Sequence, residues 1–309
     1  MQNLFRVGLV AVVALSIGTI ALAKAFVAAP TPVSQRAITA PVIVVGKITG
    51  IEKEIIQAES NPGTKQMVPH QVATLKIEDS LRGIKGVTHI RIGFVPQPKV
   101  EIQPGIIDPN VPNVRQPAIA RRPFRPSFQV NFEEGLEGCF FLTKHHKEDF
   151  YVVVPMYMPL LKKDETYKRD IATITKTQAV LADPMKALKS DKEPERRFAA
   201  GVLVMAYRSP SQIGRIAPTP QKTELVSIEE TKLILDTLVN ADWKKYDPET
   251  DVSPPQSLFF TVGMQPKDGW TPPKFTGQPN YQDLMQAAAK EWVAKNGEYR
   301  MERFIAEKK

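Results

Sequence analysis

The stretch PVIVVGKITGIEKEI, residues 41–55, decides the fold of the first half of this chain. It is rich in β-branched residues, contains two glycines, and turns polar only towards its end. β-Branched residues favour strands, and glycine permits the bulge that a long strand needs in order to bend. We therefore predict one long, bent strand.

Alternating segments continue this pattern downstream. The pattern predicts strands in HQVATLKIEDSLRGIKG (70–86), THIRIGFV (88–95), FQVNF (128–132) and GCFFLTKHHKEDFYVVVP (138–155). Apolar and polar residues that alternate indicate half-buried strands. About five such segments separated by turns are typical of a small barrel or sandwich.

The succession VIVVGKITGIEKE, VATLKIEDSLRGIKG, IRIGFV and GLEGCFFLTKHHKEDFYVV resembles the OB-like barrel of netrin and metalloproteinase-inhibitor modules. The resemblance spans about the first half of the mature chain. It implies a five-stranded OB-like β-barrel over residues 41–162, and an inhibitor-like module is one alternative function. The animal inhibitors present an N-terminal cysteine to the protease zinc. A mature chain starting near Lys24 has no cysteine there, so that mechanism does not transfer.

After Lys162 the hydrophobic period changes from two to 3.6 residues, which indicates helices. We predict a mainly α-helical domain over residues 163–309, and hence an α+β chain. ADPMKALKSDKEPERRFAAGVLVMAYRS, residues 182–209, is similar to a single HEAT-type helical hairpin. Ser227 and Glu230 have the spacing of a capping box at the start of another helix. The region around 247–277 is predicted to be mostly loop.

The N-terminus has the pattern of a secretory signal peptide over residues 1–23. A basic start is followed by the apolar run Val7–Ala23, which ends in an A-x-A arrangement. We expect a secreted or periplasmic protein, a linker over 24–40, and no membrane span after signal removal. The run is slightly shorter than the ~20 residues of a spanning helix, so an uncleaved anchor is the alternative.

The chain carries 41 basic and 33 acidic residues, a net charge of +8, and one cysteine. A single cysteine excludes an intramolecular disulfide. The positive charge fits anionic partners such as envelope polymers or lipid headgroups, and it fits simple solubility equally well.

The one concentration of chemically versatile residues is Cys139, His145 and His146. Along a regular strand Cys139 and His145 lie roughly 20 Å apart, too far for a nucleophile–base pair. Adjacent histidines point to opposite faces and do not share a metal. We therefore predict core and a polar turn here, with no catalytic, cofactor-binding or metal site. A hydrolase using Glu133 and Glu137 is the second alternative.

A Pro- and Arg-rich loop, residues 96–127, is the candidate binding element. It contains eight prolines and a group of basic and aromatic residues, namely Arg115, Arg121, Arg122, Phe124 and Arg125. Loops of OB folds bind extended polymers through such residues. The sequence predicts an exported, non-catalytic protein that binds a protein or an anionic envelope polymer. Export argues against nucleic acid as the partner.

Overall fold

The computed structural model describes residues 31–96, 130–209, 222–247 and 251–305. The chain is of the α+β class, as predicted. Within the described ranges it has a six-stranded, mainly antiparallel sheet, seven α-helices and a separate two-stranded sheet.

The sheet is formed by the first part of the chain. Its strands are β1 (Val42–Glu59), β2 (Met67–Arg82), β3 (His89–Phe94), β4 (Glu137–Lys144), β5 (Tyr151–Val153) and β6 (Leu160–Leu161). The long first strand is confirmed. Its register against β2 shifts at four points, which accounts for the bend that its glycines suggested.

Each of the strands β1, β2, β3 and β5 pairs with two others, and β4 pairs with three. β1 pairs with β2 and β4, and β2 pairs with β3, all antiparallel. β3 pairs in parallel with β5, and β5 pairs antiparallel with β4. The short strand β6 pairs with β4. The pairing therefore runs from β1 through β2, β3, β5 and β4 back to β1.

One face of this sheet encloses an apolar core. Alternate residues of β1 to β4 supply it, including Val44, Ile48, Leu75, Ile92, Phe140 and Leu142. The prediction of a strand over 128–132 was wrong for Val130–Phe132, which form no strand. Phe132 instead fills the core from an irregular segment, its ring centroid 5.1 Å from Phe94 and 5.9 Å from Phe140.

The opposite face of β1 and β4 is covered by helices α1 (Val33–Thr39) and α2 (Tyr167–Ala182). Ile43, Cys139 and Phe141 of the sheet pack in one cluster with Ile174 of α2, Ala37 of α1 and Ala40 just after it. Helix α1 falls inside the stretch predicted to be a linker, so the structure differs from the prediction there. The rest of that stretch, residues 24–30, lies outside the described residues.

Side chains distant in sequence hold α1 in place. The Arg82 guanidinium donates to the carbonyls of Ala37 (3.0 Å) and Ile38 (2.7 Å), near the C-terminal end of α1. The amide of Gln178 also donates to the Ala37 carbonyl, at 2.8 Å. A seven-residue helix is not stable alone, and these contacts supply the tertiary stabilisation it needs.

Five further helices follow α2 along the chain. They are α3 (Pro184–Leu188), α4 (Glu193–Arg208), α5 (Ile228–Asn240), α6 (Pro255–Thr261) and α7 (Tyr281–Lys295). Ser227 caps α5 by accepting from the Glu230 amide at 3.2 Å. The Glu230 carboxylate accepts from the Tyr207 hydroxyl, which places it in the helical core.

Two features of this region were not predicted. Helix α6 and a 3-10 helix, Pro266–Asp268, lie in the stretch predicted to be loop. A two-stranded sheet joins β7 (Thr223–Leu225) to β8 (Glu302–Phe304). None of the helices within the described ranges has the length and apolar character that crossing a bilayer requires.

Candidate functional site

The predicted binding residues Arg115, Arg121, Arg122, Phe124 and Arg125 lie outside the described residues. The described chain stops at Pro96, just after β3, and resumes at Val130, before β4. The neighbourhood of these two points is therefore where the structure bears on the predicted site.

A groove of about 170 Å³ lies at this neighbourhood. Its walls come from the end of β3, from β5 and the turn after it, and from Val130. They are mostly apolar, and the lining residues are His70, Gly93, Phe94, Val95, Val130, Val152, Val153, Val154, Pro155 and Met156. Val95 precedes the Pro- and Arg-rich loop and Val130 follows it, and both residues line this one groove. Met156 is 53% exposed at its edge.

Cys139 lies on the helix-covered face of β4 and is fully buried with Phe141 and Ile174. Burial raises the pKa of its thiol to about 12. Reactive cysteines need a thiolate and access, and this environment provides neither. The structure agrees with the prediction that Cys139 is a core residue.

The predicted polar turn, residues 145–149, joins β4 to β5, but two of the histidines are less exposed than expected. His145 and His70 are each 7% exposed. Their ring centroids lie 6.0 Å apart, and both rings contact Phe150. His70 was expected at the surface or rim of the sheet and is instead buried, because the end of the β1–β2 hairpin packs against this turn. His89 is exposed, as expected.

Both ring nitrogens of His145 are engaged. Nδ1 accepts from the backbone amides of Lys147 (3.2 Å) and Glu148 (3.0 Å). Nε2 lies 3.0 Å from the Glu59 carbonyl, which can only accept, so Nε2 carries the proton. The ring is therefore neutral, and burial lowers its pKa. With no free lone pair, His145 is a structural residue of the turn.

The Glu59 carboxylate, 4% exposed, ties the same turn to the hairpin. It forms an ion pair with Lys147, accepts from the Lys65 amide at 2.9 Å, and lies 3.2 Å from Nε2 of His146. These donors, Lys147 first, lower the pKa of Glu59 to about 2. Glu59, His70, His145, His146 and Phe150 are called the histidine cluster below.

The carboxylates of the hydrolase alternative do not have the properties of a general acid. Glu137 is bound by Lys162 (2.8 Å) and Lys47 (3.0 Å), and these hydrogen bonds lower its pKa. Glu133 is exposed, in the turn before β4. A general acid at neutral pH needs a raised pKa, and Glu137 is shifted the other way.

Two cations of the sheet are paired with acids. Arg91 on β3 reaches across to Glu52 on β1 in a two-point contact of 2.8 and 2.9 Å. Lys47 pairs with Glu137. Lys53 on β1 and Lys76 on β2 are exposed. Among the described residues, no group of three or more His, Cys, Asp or Glu side chains is arranged to hold a metal ion.

No protein-family model matches the sequence, and a search of curated proteins finds no match. The interpretation of the site therefore depends on its geometry.

The histidine cluster was not predicted from sequence as a unit. Glu59 and His145 are 86 residues apart, and no spacing rule connects them. The one indication in the sequence is the polar segment HHKED, which holds two of the four histidines and is followed directly by Phe150.

Proposed function

We propose that this chain is an exported, non-catalytic binding protein. In this proposal residues 1–23 are a signal peptide that sends it to the periplasm or the exterior. Residues 41–162 form an OB-like barrel domain, and residues 163–309 form a mainly helical domain. The cyclic pairing order β1–β2–β3–β5–β4–β1 supports the barrel, because closing a sheet on itself removes its free edges.

The groove between the ends of β3 and β5 is the observation that carries the binding function. Val95 and Val130, which line it, stand at the two approaches to the Pro- and Arg-rich loop. A partner held by the arginines of that loop would lie beside an apolar groove. Basic side chains next to an apolar surface suit a protein or an anionic envelope polymer.

The environments of Cys139, His145 and Glu137 favour binding over catalysis. The thiol is buried, the imidazole has both nitrogens occupied, and the carboxylate is held by two lysines. The thiol is held as the neutral, buried form, and the lone pairs of the imidazole and the carboxylate are already taken by other donors. The two alternatives, protease inhibitor and hydrolase, gain no support from these contacts.

The test compares two charge-matched variants of the purified protein on an immobilised anionic polysaccharide, dextran sulfate. One variant replaces Arg115, Arg121, Arg122 and Arg125 with Gln. The control replaces the exposed lysines Lys53, Lys76, Lys274 and Lys290 with Gln. We expect the first to elute at lower salt than the control, since it lacks the proposed contacts of the four arginines with sulfate groups, whereas the control keeps them. Equal elution would mean that net charge alone governs binding.

A protein partner is tested separately, by recovery from the envelope fraction on the immobilised protein. Val130→Asp places a charge in the groove and should abolish recovery of a partner that uses it. Recovery that is insensitive to both Val130→Asp and the four-arginine variant would contradict the proposed site.

A further inference from the structure

The turn between β4 and β5 is held closed by a histidine whose contacts tolerate only one protonation state. Nδ1 of His145 accepts two amide protons, from Lys147 and Glu148, and Nε2 donates to the Glu59 carbonyl. A protonated ring has two N–H donors and no acceptor. Its Nδ1–H would face two further N–H groups at 3.0–3.2 Å, and both hydrogen bonds would be lost.

Charged and titratable groups approach His145 from each element around it. The end of β1 contributes Glu59, whose carboxylate is already bound by Lys147, His146 and the Lys65 amide. β2 contributes the ring of His70. The turn itself contributes His146, stacked at 4.4 Å, together with Lys147 and Glu148. The Glu59 carboxylate is thus satisfied by other donors. Glu148 favours a charged His145 ring, whereas burial and the neighbouring rings of His146 and His70 oppose it, and burial is the largest effect.

We propose that residues 145–150 are a pH-sensitive latch. Protonation of His145 at Nδ1 expels the amides of Lys147 and Glu148 and opens the turn, while Nε2 still donates to the Glu59 carbonyl. Opening uncovers the buried ring of Phe150 and the apolar residues it covers, Ala58 and Val72. The protein therefore presents a different surface in mildly acidic surroundings than at neutral pH.

His146, next to His145 in the same turn, has different hydrogen-bond partners. Its Nε2 faces the Glu59 carboxylate at 3.2 Å. The two adjacent histidines of this turn thus differ in their surroundings, because Nδ1 of His145 faces two amide donors and Nε2 of His146 faces an acceptor. This makes His146 a matched control.

The sign of the effect follows from the direction of the shift. Burial lowers the pKa of His145 below its ordinary value of 6.5. The open turn therefore binds a proton more readily than the closed one. Closure is fully stable above pH 6.5 and weakens by at most about tenfold for each unit below it, until the pKa of the closed form is reached.

The experiment measures hydrogen exchange of the Lys147 and Glu148 amides between pH 7.5 and 5.0, corrected for the intrinsic rate, in the purified protein. We expect protection to fall below pH 6.5, by at most about tenfold per pH unit. Amides within α5 should keep their protection over this range. Unchanged protection at Lys147 and Glu148 down to pH 5.0 would overturn the proposal.

Two variants separate the histidines. In His145→Asn the side-chain oxygen replaces Nδ1 as acceptor and does not titrate, so the turn should stay protected at both pH values. His146→Asn should lose protection as the wild type does. A pH-dependent loss that persists in His145→Asn would contradict the latch.

If His145→Asn does not fold, the wild type decides the question through the nitrogen resonances of the His145 ring. Proton uptake at Nδ1 should coincide with loss of protection at Lys147 and Glu148. Uptake with both amides still protected would also overturn the proposal.

Discussion

The ring of Phe150 occupies the space into which a β-carbon on Gly93 would project. Phe150 is 1% exposed, and Gly93 lies on β3 at the point where β3 pairs with Val152 of β5. The parallel pairing of β3 with β5 therefore depends on a residue without a side chain, so that the aromatic ring can lie directly on the backbone of β3.

Gly93→Ala should destabilise the protein by about 1–3 kcal/mol, because the added methyl group overlaps the Phe150 ring and forces it or β3 to move. Urea unfolding followed by circular dichroism measures the change. Gly50→Ala on β1 is the control, since nothing lies within 4 Å of its added carbon. Its effect should stay within about 1 kcal/mol. Equal losses in both variants would show that the Phe150 contact is not the cause.

Arg82→Met should cost about 1–3 kcal/mol, because a partly buried guanidinium that donates to two α1 carbonyls is removed. The Ile38 carbonyl loses this donor, while Gln178 still donates to the Ala37 carbonyl. Lys189→Met, which removes an exposed ion pair with Glu229, should change stability by less than about 0.5 kcal/mol. The free energy of unfolding measures both. In the Arg82 variant, amide exchange within α1 should also increase selectively. Protection of α1 equal to that of the wild type would contradict this role.

Cys139 should resist alkylation in the folded protein. Its pKa of about 12 leaves little thiolate, so at pH 8 iodoacetamide should react at least ~100-fold more slowly than with the chain in denaturant. Mass spectrometry of the labelled chain follows the reaction, with Cys139→Ala as the unlabelled blank. Rapid labelling under native conditions would place the thiol at a surface and reopen its assignment to the core.

Glu59 should account for part of the stability that the protein loses at acid pH. Its folded pKa of about 2 lies below the ordinary 4.5, so its contribution to stability is complete above pH 4.5 and is lost as the pH falls towards 2. In Glu59→Gln the urea midpoint should be lower at pH 5 and should fall less steeply from pH 4.5 to 2. Glu54→Gln, on an exposed position of the same strand, should follow the wild-type slope. Identical slopes in all three proteins would refute the assignment.

The strands and long helices could be predicted because local pattern and burial agree. In β1 and β2 the alternation of apolar residues matches the core face, and in α4 the apolar residues recur at the helical period. Between α2 and α3 the Asp183 side chain caps the second helix, and Pro184 occupies its first turn, both local signals in the sequence. In these elements the residues nearby in sequence are enough to indicate both the secondary structure and the buried face.

Helix α1 and the histidine cluster could not be predicted, because their determinants are distant in sequence. Val33–Thr39 is weakly patterned and becomes helical through Arg82 and Gln178. Glu59 and His145 meet only after the hairpin end has folded against the β4–β5 turn. In both cases the stabilising groups are contributed by other elements, which a reading of local pattern does not include.

β1 pairs with β2, which follows it directly in sequence, and with β4, which comes much later in the chain. This constrains the order in which the sheet can form. The β1–β2 hairpin can form early, but the pairing of Val42 with Leu142 joins residues about a hundred positions apart, a slow contact to establish. Until β4 arrives, one edge of β1 carries unpaired backbone donors and acceptors together with Val44 and Ile48. A chain halted at that stage would be prone to join another copy edge to edge. Fast completion of this pairing, more than the final stability, should therefore determine how much protein escapes aggregation.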